Sequence, residues 1–349
     1  MIRPFRHKFI RRTGSSKVTE LIQVSDIKSY GKTPAAGAAL TIGNFDGCHL
    51  GHQRLIAEVI EYTNKYSLTP MAITFDPRPD AYFRSLKDEA LLFTPNQKTR
   101  CLGELGVEIQ IVQCFDAAFS SVTHEEFLNE YLIESLSAKA IVVGDDFKFG
   151  RSRLGNLDFL RTKSLEHGIK LSIGQACDFQ NSRISSSRIR QAIANDGDMA
   201  NAALMLGRPY LLEGTIEKGD QLGRKLGFPT ANLGGCKQIL PKFGVYLGFV
   251  WLENTSNAAQ MAPVTRMPAN LSPAVINIGV RPSVSSQTSI VRIEAHILTG
   301  NFAPDSLYKL RAGYYITHRL RDERRFNAIA DLQNQIRADI QQAKHLLNS

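Results

Sequence analysis

Two histidines stand three residues apart, at positions 49 and 52, in TIGNFDGCHLGHQRL, between a glycine-flanked turn and an amphipathic run. At that spacing both imidazoles lie on one face of the first turn of a helix. The N–H groups there have no partner within the helix and the dipole is positive, so the place suits an anion, above all a phosphate. Zinc would need at least three ligands in a recognisable pattern, which the neighbours Asp46 and Cys48 do not supply. Either histidine alone reads as a surface residue on an ordinary helix start. ISSSRIR offers a second anion cradle, with hydroxyls from Ser185, Ser186 and Ser187 and cations from Arg188 and Arg190, just where a helix RIRQAIA starts. Its plainer reading is a polar cap beside a solvated arginine face.

Two more stretches carry candidate chemistry. In GDQLGRKLGFPTAN, Gly223 and Gly227 allow close backbone approach, and Pro229 stiffens the segment that carries Thr230 and Asn232. Those two are i, i+2 in an extended segment, so both oxygens point to one side; a bare P-T-A-N is otherwise a turn. In IVRIEAHIL, Glu294 shares a face with Arg292 and His296, opposite Val291, Ile293, Ala295 and Ile297. Alternation alone makes Glu294 a solvated face residue.

The elements that must position these residues fall into two textures. From residue 38 short apolar runs (AALTI, MAITF, IQIV, AIVV, LSI) are separated by helical stretches, of which LGHQRLIAEVIEYTNKY shows one buried face through Leu55, Ile56, Val59 and Ile60. This predicts a parallel, Rossmann-like α/β sheet, with GNFDGCH, FDPRP and GDDFKFG in loops beyond the carboxyl ends of its strands. After NDGDM, near residues 195 to 199, strands and turns dominate, and an antiparallel β-barrel or sandwich is expected. LYKLRAGYYITHRL reads as one of its strands, and 253–272 as a long inserted loop. A closing helix from about residue 327 has Ile329, Leu332, Ile336, Ile340, Ala343 and Leu347 spaced three or four apart.

At 349 residues two domains are the default. No apolar run approaches the roughly 18 residues of a membrane span, and no membrane association is expected. The net charge of +9 suits a polyanion, whether nucleic acid or nucleotide phosphates. A nucleic-acid-binding module would show aromatics interleaved with basic residues on a strand face, and no such stripe is present. Part of the charge sits in MIRPFRHKFIRR, within residues 1–18 read as a disordered basic tail. Five scattered cysteines without a C-x-x-C pair fit a reducing cytoplasm.

GNFDGCHLGH resembles the G-x-F-D-G-x-H-x-G-H stretch of nucleotidyltransferases. The ordered set ITFDPRP, VVGDDFKFG, ISSSRIRQAI, LGRPYLLEGTIEKGDQLGRKLGFPTANL, PKFGVY, NIGVRPS and RLRDERRFNAIADLQNQI resembles bacterial bifunctional riboflavin kinase/FAD synthetase, from about Leu21 to the last helix. The resemblance implies an FMN adenylyltransferase domain at 19–198 and a riboflavin kinase barrel at 199–349, with riboflavin, FMN, FAD and ATP as partners, magnesium at both sites, and no nucleic acid, membrane or obligate protein partner. In the first domain it implies that His49 and His52 stabilise the ATP phosphates, that Gly43, Asn44, Phe45, Asp46 and Gly47 belong to the ATP and flavin site, and that Asn44 and Asp46 shape its turn. Gly144, Asp146 and Phe147 would line the flavin and adenine pocket, and Ser185, Ser186, Ser187, Arg188 and Arg190 would cradle phosphate. In the second it implies ATP and flavin contacts from Gly223, Arg224, Gly227, Phe228 and Pro229, magnesium on Thr230 and Asn232, and Glu294 as the base. The chain departs from the family at Ser187, usually threonine, at Arg78, often histidine, at Thr299 and Gly300, where aspartate is usual, and at Lys309, where glycine is common.

Overall fold

The computed structural model describes residues 21–30, 36–84, 91–253, 261–281, 290–300, 302 and 305–348. The basic tail at 1–18 and positions 254–260 of the inserted loop lie outside the described residues. The chain divides into two compact units. One takes in Phe93–Ser185 and most of what precedes residue 90; the other takes in Ser186–Ser349 with Ala90–Leu92.

The first unit is a six-stranded parallel sheet of β1 (Ile22–Val24), β2 (Ala38–Ile42), β3 (Thr69–Asp76), β4 (Ile109–Cys114), β5 (Ala138–Gly144) and β6 (Lys170–Gly174), in the order β1-β4-β3-β2-β5-β6. Every residue of β2 is buried, because both faces of the sheet are covered. Leu40, Ile42, Ile73, Ile111, Ile141 and Val143 pack with Phe127, Leu132 and Leu160 on one face. Ala39, Ala140 and Val142 pack with Val59 of the helix Leu50–Tyr66 on the other. A fully buried Ile or Val contributes on the order of 1.5–3 kcal/mol, and the continuous apolar runs of such strands follow from double coverage. The strand order reverses between β2 and β5, and that switch point opens a crevice at their carboxyl ends. A two-stranded ribbon, β7 (Asp178–Phe179) with β8 (Ser182–Arg183), follows.

The second unit is a closed barrel of β9 (Tyr210–Glu217), β10 (Ala231–Gly234), β11 (Gly244–Leu252), β12 (Ser272–Arg281), β13 (Ile290–Ile297) and β14 (Arg311–Asp322), ordered β10-β13-β12-β11-β14-β9. Period-two alternation separates its two walls. Tyr246, Ile276, Ile278, Ile293, Ala295 and Tyr314 are buried, whereas Val245, Leu247 and Val275 form a separate outer cluster against Ala343, Ile340 and Leu347 of the closing helix Ile329–Asn348. Arg321 of β14 fixes that helix through two 2.8 Å contacts to the buried carboxylate of Asp339, which also accepts from Gln335 at 2.9 Å.

Three expectations need correction. Ile329 is 65% exposed, because it opens the helix before the helix reaches the barrel. The segment LYKL is turn, and β14 begins only at Arg311. The helix at the serine run begins at Ser186, not at Arg188.

Candidate active sites

The GNFDGCH turn leaves β2 at the switch point. His49 is the N-cap of the helix Leu50–Tyr66, and its Nδ1 accepts from the backbone N–H of His52 at 3.4 Å. With Nδ1 occupied as an acceptor, the proton of neutral His49 sits on Nε2. The histidine rings stack at 3.7 Å and 16°, and Phe45 meets His52 edge-on at 5.1 Å. Gly51 permits this stack, since a Cβ there would come within 3.2 Å of the His49 ring. His52 is held well below its ordinary pKa, first by desolvation, then by His49 and Lys98. At neutral pH His52 therefore offers an N–H donor and no imidazolium charge.

Asp46, expected to shape the turn, is buried. It accepts from the backbone N–H of Phe93 at 3.0 Å and from Arg78 at 3.4 Å. Arg78, which stands where the family often has histidine, is thus a buried structural partner of the turn. Lys98 gave no signal in the sequence. It lies on the helix Pro95–Glu104, whose Thr94 capping box follows Phe93 directly. Burial lowers its pKa, opposed by Asp46 and reinforced by Arg78. Among the described residues its ammonium has no hydrogen-bond or ion-pair partner. Beyond the carboxyl ends of β3 and β4, Phe75, Tyr82, Phe83, Phe115 and Phe119 form an aromatic surface with ring separations of 5.3 to 6.0 Å.

Gly144 ends β5 across the same switch point. Asp145 and Asp146 pair with Arg183 at 2.7 and 3.2 Å, and half-buried Phe147 stacks on the buried anchor Phe149 at 5.3 Å. Ser185 ends the sheet unit. Ser186, Ser187, Arg188 and Arg190 form a short helix grouped with the barrel unit.

In the barrel unit one cavity of about 220 Å³ collects Gly223, Phe228, Thr230, Asn232 and Glu294. Strand register explains this. Asn232 lies opposite Glu294 across β10 and β13, and Asn277 lies opposite Glu294 across β12 and β13. All face the outer wall, where Leu332 and Ile336 of the closing helix and Arg321 complete the lining. Arg292 ties to Asp220 at 3.1 Å and approaches Glu294 at 3.9 Å. Gly223 has a purely internal reason to be glycine: a Cβ would lie 2.4 Å from the Phe228 carbonyl. Arg224 points to Asp305 at 3.1 Å. Asn277 is a lining residue that sequence reasoning missed, since only register brings it to Glu294.

The family model described as FAD synthetase matches residues 32–188, and that described as riboflavin kinase matches 206–347. The chain is 34% identical over 316 residues to the bifunctional riboflavin kinase/FMN adenylyltransferase of Escherichia coli K12, covering 90% of this chain and 95% of that one. The chain belongs to the bifunctional riboflavin kinase/FMN adenylyltransferase family. The Haemophilus influenzae member is 32% identical, with the same coverage of both chains. A crystal structure described as a macrolide-efflux protein from Streptococcus pneumoniae is also similar, at 26% identity and a TM-score of 0.76, covering 93% of this chain and 99% of that one. Among the described residues no helix is long and apolar enough to cross a membrane.

Two family departures have physical consequences. Lys309, where the family commonly has glycine, is exposed and holds φ +68°. A left-handed conformation costs a non-glycine residue roughly 1–2 kcal/mol, partly offset by the lower unfolded-state entropy of lysine. Lys309→Gly should therefore stabilise the barrel by about 0.5–1 kcal/mol, seen as a higher melting temperature with unchanged riboflavin phosphorylation. Thr299 and Gly300 form a bend just after β13, with Gly300 at φ +90°.

The depressed His52 pKa also fixes a sign. Above pH about 6.5 the imidazole is neutral in both folded and unfolded chains. Below it the unfolded chain binds the proton and the folded one does not, so stability falls as pH drops. Melting curves from pH 7 to 5 should show that loss in the parent, and a smaller loss in His52→Gln.

Proposed function

We propose that the barrel unit phosphorylates riboflavin to FMN and that the sheet unit adenylylates FMN to FAD, with ATP as co-substrate in both steps. The observation that carries this reading is the convergence of Thr230, Asn232 and Glu294 on one cavity, in a chain whose two halves match the two family models in order.

In the kinase step Glu294 takes the proton of the ribityl 5′-hydroxyl as its oxygen attacks the γ-phosphorus and ADP leaves. Arg292 steadies the Glu294 carboxylate, and Asp220 holds Arg292. The Thr230 hydroxyl and the Asn232 amide oxygen are hard, neutral donors facing one cavity. They fit magnesium, which takes few protein ligands and completes its shell with phosphates and water. When bound, that ion would neutralise charge on the transferring phosphoryl group. Leu332 and Ile336 give the cavity an apolar wall suited to the flavin ring.

In the adenylyl step an FMN phosphate oxygen attacks the α-phosphorus of ATP and pyrophosphate leaves. The stacked His49 and His52 donate N–H to the crowded phosphate, and Lys98 adds positive charge beside neutral His52. The aromatic surface around Phe83 and Phe115 suits the isoalloxazine ring. Ser185, at the end of the sheet unit, offers its hydroxyl to the phosphates of the same step. Five free cysteines support action in a reducing cytoplasm.

Chromatography of the chain incubated with riboflavin, ATP and magnesium should show FMN followed by FAD; formation of neither would overturn the proposal. Lys98→Met should lower FAD formation from FMN about 10²-fold and leave FMN formation unchanged. Steady-state assays with each flavin separate the two effects, and an equal loss of both would remove Lys98 from the adenylyl site.

A further inference from the structure

We propose that His296 and Tyr314 are positioning residues for the Thr230 and Asn232 donors, acting by holding the two backbone carbonyls that flank Thr230. The proposal rests on the phosphoryl-transfer reading of the barrel cavity. Thr230 needs such support because it lies just outside the sheet: the pairing of β10 with β13 begins at Ala231. The residue before it, Pro229, has no N–H to give.

His296 Nδ1 lies 2.9 Å from the Pro229 carbonyl oxygen. A carbonyl only accepts, so Nδ1 carries the proton and donates. Phe228 meets the same ring edge-on at 5.7 Å and fixes its plane. On the other side of Thr230, the Tyr314 hydroxyl donates to the Ala231 carbonyl at 3.0 Å. Tyr314 is fully buried, and burial followed by the nearby Glu294 pushes its pKa upward, so the phenol stays a donor. His296 reaches the segment from the cavity face of β13, and Tyr314 reaches it from β14. With the carbonyls of residues 229 and 231 held, the backbone of Thr230 cannot rotate without breaking a bond, and its side chain stays beside that of Asn232. Magnesium demands near-ideal octahedral geometry, so a small rotation of one donor would weaken the metal site.

The test is metal binding by the full-length chain. Mn²⁺ is titrated in the presence of ADP and the free ion is read by electron paramagnetic resonance; binding by the Thr230→Val chain is subtracted to remove any other site. His296→Gln places its amide where Nε2 stands and should lower Mn²⁺ affinity about tenfold, the scale of one net hydrogen bond. His296→Asn places an amide nitrogen where Nδ1 stands and should stay within about threefold of the parent. Tyr314→Phe should resemble His296→Gln. FAD formation from supplied FMN and the melting curve show that each variant is folded. A folded His296→Gln chain that binds Mn²⁺ within twofold of the parent overturns the positioning role. Equal binding by the parent and Thr230→Val overturns the metal assignment itself, and the proposal with it.

Discussion

Replacing Glu294 by glutamine is expected to lower riboflavin phosphorylation about 10²- to 10⁴-fold, while FAD is still made from supplied FMN. Glutamine preserves length, shape and hydrogen-bonding reach, and it leaves the register of β13 against β10 and β12 untouched. It cannot take the ribityl proton. A solvated face residue would tolerate the change, since surface substitutions are usually within about 0.5 kcal/mol. Glu294 does not sit on such a face: its neighbours across the ladders are Asn232 and Asn277, and the three share one cavity. Steady-state rates with riboflavin and with FMN decide the matter. A variant that phosphorylates riboflavin within a few-fold of the parent would return Glu294 to the role of a surface residue.

The second large effect concerns the histidine pair. His49→Ala combined with His52→Ala should abolish FAD formation, by about 10³-fold or more if each donor contributes as a typical oxyanion-hole group does, and should leave FMN formation intact. The structure adds a complication, because His49 also caps its helix. Loss of a cap costs typically about 1 kcal/mol, so part of any defect could come from fraying of the first turn. His49→Asn resolves this, since asparagine is among the best N-caps yet lacks the outward Nε2 donor. Low adenylylation in a His49→Asn chain that melts like the parent would assign the loss to the missing donor; parental activity would make the ring a cap and nothing more.

The sequence revealed those features that depend on spacing along one element. The i, i+3 histidines, the i, i+2 Thr230 and Asn232, and the face of Glu294 are all statements about helix and strand periods. The two fold classes were legible for the same reason. Features that depend on two elements meeting in space were hidden. Lys98 lies on a helix of its own, which follows Phe93, itself tied to Asp46, and its charge acts on His52. Asn277 looked like any polar residue of a strand until register placed it opposite Glu294. Periodicity marked Leu332 and Ile336 as apolar but could not tell core from cavity wall, and they line the cavity. The capping role of His49 was hidden because histidine is not a usual N-cap, and only the geometry of the Nδ1 acceptor shows it.

The cavity proposed for the kinase step lies on the outside of the barrel, and its far wall is the helix Ile329–Asn348, fastened through Asp339. Exopeptidases work inward from a carboxyl terminus. Trimming short of Ala343 removes Leu347 from the outer cluster but leaves Ala343, Ile340 and the Asp339 anchor in place; trimming past Asp339 removes the fastening and then the wall. The parallel sheet keeps its own core throughout. A chain worn down in this way would still consume FMN to make FAD but would no longer replenish FMN from riboflavin. Its age in a protease-rich extract would be recorded as a drift in the ratio of its two products.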